Sequence, residues 1–114
     1  MEDFAGPHRP LYEVKANLFK GLAHPVRIRL LELMSTEPEV AVGALLVDTG
    51  LEPSHLSQHL AVLRKHNLVV AERRSSQVYY RLAYADVADL LSVARSLLVQ
   101  ILATTQRQLE SLDS

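Results

Sequence analysis

The chain has 114 residues, of which 48% are apolar and 22% charged, the length and composition of one globular domain. It contains no cysteine, which excludes disulfides, thiolate metal sites and thiol nucleophiles. No uninterrupted apolar run approaches the roughly 18 residues of a membrane span, and the acidic start at residues 1–4 lacks a signal core. We therefore expect a cytoplasmic protein without a membrane partner, and its formal charge of −1 argues at first against nucleic acid.

The charge is unevenly distributed along the chain. Residues 54–82 contain five basic residues and one acidic residue, a net of +4, whereas the remainder carries a net of −5. Binding to phosphates needs positive charge only on the surface that faces them. This basic segment keeps a nucleic-acid partner open, with a chance cluster on a solvated surface as the alternative.

The first ten residues contain one glycine and two prolines, so we predict a mobile arm over residues 1–10 ahead of a single domain over residues 11–114. Apolar residues at helical spacing predict a first helix over residues 11–22. A second helix begins at Pro25, which suits a first-turn position. It ends before Pro38, because the residue before a proline avoids helical backbone angles.

Two further helices follow, joined by a tight turn. The third is predicted over residues 42–48 and is closed by Gly50 in a left-handed conformation. The fourth covers residues 53–66 and opens on a proline. Asn67 ends it, since asparagine tolerates the left-handed conformation best after glycine. The short connection between the two helices is typical of a helix-turn-helix unit.

β-Branched and aromatic residues then replace the helical pattern and predict a β-hairpin over residues 69–82. Its basic tip, residues 73–77, lacks glycine, which predicts a longer or looser turn than the tight two-residue type. Helical spacing resumes over residues 86–112 without a breaker. Four helices, a hairpin and a long helix make a mainly α fold with a small β-hairpin wing (α+β), a winged helix-turn-helix.

Four segments in this order carry a resemblance to a known family: LAHPVR at 22–27, SHLSQHLAVL at 54–63, NLV at 67–69 and VYYRL at 78–82. Over roughly residues 16–91 the chain resembles the ArsR/SmtB family of bacterial winged-helix regulators. The resemblance implies a homodimer that binds operator DNA and loses DNA affinity when an inducer, often a metal, binds. Two positions depart from the family pattern, since Asn67 and the Ser75-Ser76 pair stand where glycine is usual.

The recognition helix of such a unit presents polar side chains to base edges in the major groove. Five residues early in the fourth helix suit that role, namely Ser54, His55, Ser57, Gln58 and His59. Gln58 has the amide for a two-point contact with adenine. Further DNA contacts are predicted from the end of that helix and from the wing tip, at Arg64, Lys65, Arg73, Arg74, Ser75, Ser76 and Gln77. Alternatively, Ser54 caps the helix and His59 packs against the neighbouring helix.

The last helix carries an apolar stripe too wide for so small a core to cover, and a twofold partner would bury it. We therefore predict a homodimer that buries the stripe of helix 86–112 and binds half-sites about 34 Å apart. The resemblance implies that helix 11–22 takes part in the pairing as well. The predicted interface residues are Leu18, Leu22, Val87, Leu90, Leu91, Ala94, Leu97, Leu98, Ile101 and Leu102.

Tyr79 and Tyr80 alternate faces of a strand, so one of them is expected in the core.

The metal-ligand positions that the resemblance implies are mostly not met. They align with Ala41 and Gly43 for the third-helix site, and with Tyr84, Asp86, Leu97 and Gln100 for the last-helix site. Of these, only Asp86 ligates well. A weak nickel, cobalt or zinc site would need His8 together with Asp86 or Asp89. The alternatives are a plain arm histidine and two carboxylates that favour the start of a helix.

These observations leave two classes of function. The first is a homodimeric, sequence-specific DNA-binding transcriptional regulator, modulated by a weak metal site or by a partner protein. The alternative is a ligand- or protein-binding winged-helix module whose dimer cleft holds a small apolar effector. An enzyme is not indicated, because a thiol, a glycine-rich phosphate loop and a recognisable serine–histidine–acid arrangement are missing from the sequence.

Overall fold

A computed structural model describes residues 9–113 of the chain. In chain order the elements are α1 (Leu11–Leu22), α2 (Pro25–Ser35), β1 (Val40–Ala41), α3 (Val42–Thr49), α4 (Pro53–Lys65), β2 (Val69–Arg74), β3 (Gln77–Leu82) and α5 (Asp86–Asp113). The predicted winged helix-turn-helix architecture is confirmed, with all five helices where the apolar periodicity places them. Most of the predicted arm lies outside the described residues.

Proline, histidine and two left-handed residues set the helix ends. Pro25 is the first residue of α2, and the Nδ1 atom of His24 accepts a hydrogen bond from the Val26 backbone N–H at 3.0 Å. Gly50 ends α3 with a φ of 67°, and Asn67 follows α4 with a φ of 61°. Both left-handed residues confirm the predicted helix ends.

The sheet has one strand more than the sequence pattern indicates. β1 pairs antiparallel with β3, Val40 opposite Tyr80 and Ala41 opposite Tyr79, which gives the strand order β1-β3-β2. The sequence pattern does not predict β1, because two residues are too few to show a strand pattern. Since α3 begins directly after β1, this short pairing fastens the helix-turn-helix unit to the wing.

The wing turn is tighter than predicted. β2 and β3 pair as far as Arg74 opposite Gln77, which leaves only Ser75 and Ser76 between them. Ser75 has a φ of 57°, in the left-handed region that tight hairpin turns use and that glycine adopts most easily. The expectation of a longer or looser turn is therefore wrong, because a serine occupies the left-handed position without glycine.

The hydrophobic core lies between α2, α3, α4 and the sheet. Its fully buried side chains are Leu30, Leu31, Met34, Leu45, Leu56 and Leu63. Tyr80 belongs to this core, whereas Tyr79 is half-buried on the other face of β3, as strand alternation predicts. Leu22 and Val87 are core residues as well, each with 6% of its surface exposed. Both are also predicted interface residues, and that role stays a prediction because a single chain shows only what it buries itself.

Only the first turns of α5 pack against the rest of the protomer, and its side chains from residue 92 onward are exposed. By length and composition this helix is able to cross a membrane, and 6% of its apolar 18-residue stretch is buried. This stretch does not appear in the sequence as an unbroken apolar run, because the charged residue Arg95 interrupts it. One such helix is weak evidence for a membrane span, since a helix whose apolar face binds another protein has a similar composition.

Candidate nucleic-acid interface

α4 presents a polar face on the outside of the core. Leu56, Leu60 and Leu63 recur at spacings of four and three residues and are buried, which orients the helix. Four of the five predicted base-contacting residues are exposed, namely Ser54, His55, Ser57 and Gln58. The helix therefore brings hydroxyl, imidazole and amide groups together on its solvent side, where they are free to meet base edges.

The sequence leaves open that Ser54 caps α4 and that His59 packs against a neighbouring helix, and the structure supports only the second role. Ser54 does not cap the helix, because the N-cap residue is Glu52 and no side chain caps that end. His59 does pack against the neighbouring helix. Its ring centroid lies 4.3 Å from that of His24, and its Nδ1 atom lies 3.5 Å from an Arg27 guanidinium nitrogen. This half-buried histidine is engaged within the protein, unlike the other predicted base-contacting residues.

Arg27 links the recognition helix to the end of α1. Its Nε donates to the Gly21 carbonyl at 2.8 Å, and its Nη2 donates to the Lys20 carbonyl at 3.2 Å. These carbonyls lie in the last turn of α1, where positive charge is favourable, and the Lys20 carbonyl also accepts the Ala23 backbone N–H at 3.2 Å. The third nitrogen faces His59. The position of Arg27 in the LAHPVR segment marks the residue, but sequence alone does not indicate which helix ends it joins.

Burial and positive neighbours favour the neutral form of two histidines at this junction. The pKa of His59 is lowered by burial first, and then by the charges of His24 and Arg27. His66 is the C-cap residue of α4, and its pKa is lowered by burial and then by the charge of Lys65. Both side chains therefore favour the uncharged state in the folded protein.

The wing carries two adjacent arginines in different surroundings. Arg73 is exposed, and none of the ion pairs found among residues 9–113 involves it. Arg74 pairs with Glu39, lies 3.9 Å from the Glu72 carboxylate and stacks 4.0 Å above the centroid of the Tyr79 ring. The hydrogen bond to Glu39 raises the pKa of Arg74 above its ordinary value.

The remaining predicted DNA contacts are also at the surface: Arg64, Lys65, Ser75, Ser76 and Gln77. The Gln77 side-chain carbonyl accepts a hydrogen bond from the Tyr79 hydroxyl at 2.8 Å. Glu39 lies outside the basic segment in sequence but beside Arg74 in space. The positive charge on the wing is therefore smaller than the segment total suggests.

The described residues do not fit the metal sites that the resemblance implies. Among residues 9–113, no group of three or more histidine, cysteine, aspartate or glutamate side chains is placed to hold a metal ion. Asp86 and Asp89 are exposed in the first turn of α5, where their charge suits a helix start. His8 lies outside the described residues, so its part in a weak nickel, cobalt or zinc site stays a prediction.

α5 leaves an apolar face uncovered. The exposed residues of the predicted interface are Ala94, Leu97, Leu98, Ile101 and Leu102, the four larger ones with 51–59% of their surface accessible. The others, Leu18, Leu90 and Leu91, are partly buried against the core. The uncovered face therefore begins where the contacts of α5 with its own protomer end.

A groove of about 700 Å³ lies beside the start of α5. Leu18 and Leu90 contribute apolar surface, and His66 and Asp86 bring polar groups to the same wall. Its volume is in the range of small-molecule sites.

Comparison with known proteins identifies the family. A family model described as "Bacterial regulatory protein, arsR family" matches residues 24–70, which contain α2, α3 and α4. The HTH-type transcriptional regulator Rv0081 of Mycobacterium tuberculosis is 49% identical over 104 residues, 90% of each chain. The biofilm growth-associated repressor of Xylella fastidiosa is 35% identical over 114 residues, and the match covers 95% of this chain and 96% of the repressor.

Two solved structures share the fold at substantial sequence identity. The crystal structure of Rv0081 aligns with a TM-score of 0.79 and 48% identity, covering 84% of this chain and 96% of that one. The homodimeric winged helix-turn-helix DNA-binding domain Mb0332 of Mycobacterium bovis aligns with a TM-score of 0.73 and 33% identity, covering 81% and 84%. The chain therefore belongs to the ArsR family of winged helix-turn-helix proteins, and it is a DNA-binding transcriptional regulator rather than an enzyme.

Proposed function

We propose that the protein is a cytoplasmic homodimer that reads operator DNA with α4 and contacts the DNA backbone with the wing. The observation that carries the proposal is the polar face of α4, whose exposed side chains stand outside a row of buried leucines. Arg64 and Lys65 at the end of the helix and Arg73 on the wing add positive charge suited to phosphates.

Gln58 is the proposed base-reading residue. A bidentate amide–adenine contact contributes about 1–3 kcal/mol of discrimination, so Gln58→Ala should lower the preference for operator over scrambled DNA by about 5- to 150-fold per half-site. The test is a fluorescence-anisotropy titration of the full chain against a duplex from its own upstream region. Gln100→Ala, at an exposed glutamine of α5, is the control. Full operator preference in Gln58→Ala would contradict the proposed role.

The homodimer is supported by the uncovered apolar face of α5, where four aliphatic side chains remain at least half exposed. The Mycobacterium bovis relative is a homodimeric DNA-binding domain, which fits the same arrangement. Two recognition helices in a twofold dimer would meet half-sites about 34 Å apart. We expect DNA affinity to fall steeply with salt, because each phosphate contact releases counterions.

A modulator is the second part of the proposal. The groove beside α5 supports a small apolar effector, and a partner protein is the other candidate. Repeating the DNA titration with Ni(II), Co(II) and Zn(II) tests the weak metal site predicted from His8, Asp86 and Asp89. A change in DNA affinity on adding metal would support that site, and an unchanged affinity would favour the effector or the partner protein.

A further inference from the structure

The guanidinium of Arg74 is held by acidic residues from two parts of the chain. Glu39 precedes β1 and pairs with it directly, and the Glu72 carboxylate lies 3.9 Å away on the same strand. The ring of Tyr79 supports the guanidinium from below at 4.0 Å. The side chains of Arg74 and Glu39 are 47% and 38% exposed, so the pair lies at the surface, where DNA is able to reach it.

Strand alternation separates this cluster from the neighbouring arginine. Glu72 and Arg74 point to one face of β2, together with Tyr79 opposite Glu72, whereas Arg73 points to the other. Two carboxylates and one guanidinium give the cluster itself a net negative charge, and Arg81 lies further along the same face. A phosphate that approaches this face must displace Glu39 or meet its repulsion, since carboxylates and phosphates compete for the same guanidinium donors.

We propose that Glu39 sets the DNA affinity of the wing by occupying Arg74 in competition with the DNA backbone. The proposal rests on the proposed contact between wing and DNA. Arg73 then makes the unopposed phosphate contact, and Arg74 adds a second contact only to the extent that Glu39 gives it up. Glu39 thus weakens binding to every sequence equally, because phosphates carry no base information.

The expected gain is modest, because exposed ion pairs are weak. Removing the charge of Glu39 should raise DNA affinity by about twofold to fivefold per half-site, the fold-change that corresponds to the strength of an exposed pair. The slope of log affinity against log salt should become steeper by up to about 0.9 for each phosphate newly bound.

The test compares Glu39→Gln with Glu37→Gln in the full chain. Glu37 is exposed two residues away, and none of the ion pairs among the described residues involves it. Both variants remove one negative charge near β1, so they share any long-range effect of net charge. Affinity for operator and scrambled duplexes is measured by fluorescence anisotropy at several salt concentrations. The proposal expects a larger gain for Glu39→Gln, equal on the two duplexes.

A double variant identifies the route of the gain. If Glu39 acts through Arg74, the gain from Glu39→Gln disappears in an Arg74→Ala background. A gain that persists there, a gain no larger than that of Glu37→Gln, or a loss of affinity in Glu39→Gln would each overturn the proposal. Arg73→Ala separates the two hypotheses: an unchanged affinity would reject the wing contact itself, whereas a loss alongside an unresponsive Glu39→Gln would reject only the competition.

Discussion

Close packing between α1 and the end of α4 depends on one glycine. A Cβ atom added at Gly21 would lie 2.6 Å from Cγ and 3.0 Å from Cβ of His66, well inside van der Waals contact. The same glycine offers its carbonyl to Arg27 at 2.8 Å. Since Arg27 also faces His59 in α4 at 3.5 Å, this small residue fixes how α1, α2 and α4 meet.

Gly21→Ala is expected to lower the free energy of unfolding by about 1–3 kcal/mol, the usual effect of overpacking, although alanine is the better helix former. Gly43→Ala in α3 is the matched control, because a Cβ atom there meets nothing within 4 Å. It should leave stability unchanged or raise it by up to about 1 kcal/mol. Urea unfolding followed by circular dichroism measures both. Equal effects of the two substitutions would contradict the contact with His66 as the cause.

At the scale of elements, the helices are predictable because each one repeats a local signal. α4 shows buried leucines at helical spacing and a proline at its start, and Gly50 and Asn67 are the residue types that adopt left-handed angles. β1 has no such signal, because its two residues become a strand only through pairing with distant β3. The tight wing turn escapes prediction for a related reason: strand register places Ser75 at a left-handed position that its residue type does not favour.

The candidate site also has features that local sequence predicts and features that it does not. The exposed polar face of α4 follows from the spacing of its leucines, so Gln58 and its neighbours are accessible to prediction. The surroundings of Arg74 are not, because Glu39 lies 35 residues away in sequence and meets it only in the folded sheet. Likewise, the contact of Arg27 with His59 joins residues 32 positions apart. Local patterns predict which residues are exposed, and tertiary pairing decides which of them are already engaged.

The histidines around α4 predict how the stability of this element depends on pH. The pKa of His59 is lowered by burial, His24, Arg27 and His55, and that of His66 by burial, Lys65 and Arg27. A histidine whose pKa is lower in the folded state binds fewer protons there than when unfolded. The free energy of unfolding is therefore unaffected by these histidines above their unfolded pKa of about 6.5. It decreases as the pH falls from there through their lower pKa in the folded protein.

We expect the midpoint of urea unfolding to decrease when the pH is lowered from 7.5 to 5.5. The slope of the unfolding free energy against urea concentration should not change. The double variant His59→Gln and His66→Gln should flatten this pH dependence, because glutamine does not titrate. His55→Gln is the control and should change the pH dependence only slightly, because His55 is the smallest of the named causes that lower the pKa of His59. A pH dependence that survives in the double variant would assign the effect to other groups.

For the molecule as a whole, the formal charge of −1 is the sum of two segments of opposite charge, and this distribution affects how the protein approaches DNA. Residues 54–82, which form α4 and the wing, carry a net of +4, and the remainder carries a net of −5. A basic surface attracts phosphates and an acidic surface repels them, so α4 and the wing are the parts suited to face DNA. The division by segment is not a clean division by surface, because Glu39 of the acidic remainder lies beside Arg74. Net charge therefore bears on solubility here, whereas its distribution bears on function.

The second half of α5 is the least explained part of a monomer. Val87 is the one residue of α5 that is buried in the core, and Leu97, Leu98, Ile101 and Leu102 remain exposed beyond it. An apolar surface of this kind marks a protein or membrane contact. In the proposed homodimer, a twofold partner would cover it with the same face of a second α5.

Leu98→Glu places a charge in the centre of that face, and it should convert the dimer to a monomer because a carboxylate is costly to bury in an apolar interface. Operator affinity should fall at least tenfold, since one protomer reaches one half-site only. Ser96→Glu adds the same charge about 200° around the helix from Leu98, at an exposed position away from the apolar face, and should stay dimeric. Light scattering at micromolar concentration reads the mass, and a monomeric wild type or a dimeric Leu98→Glu would reject pairing through α5.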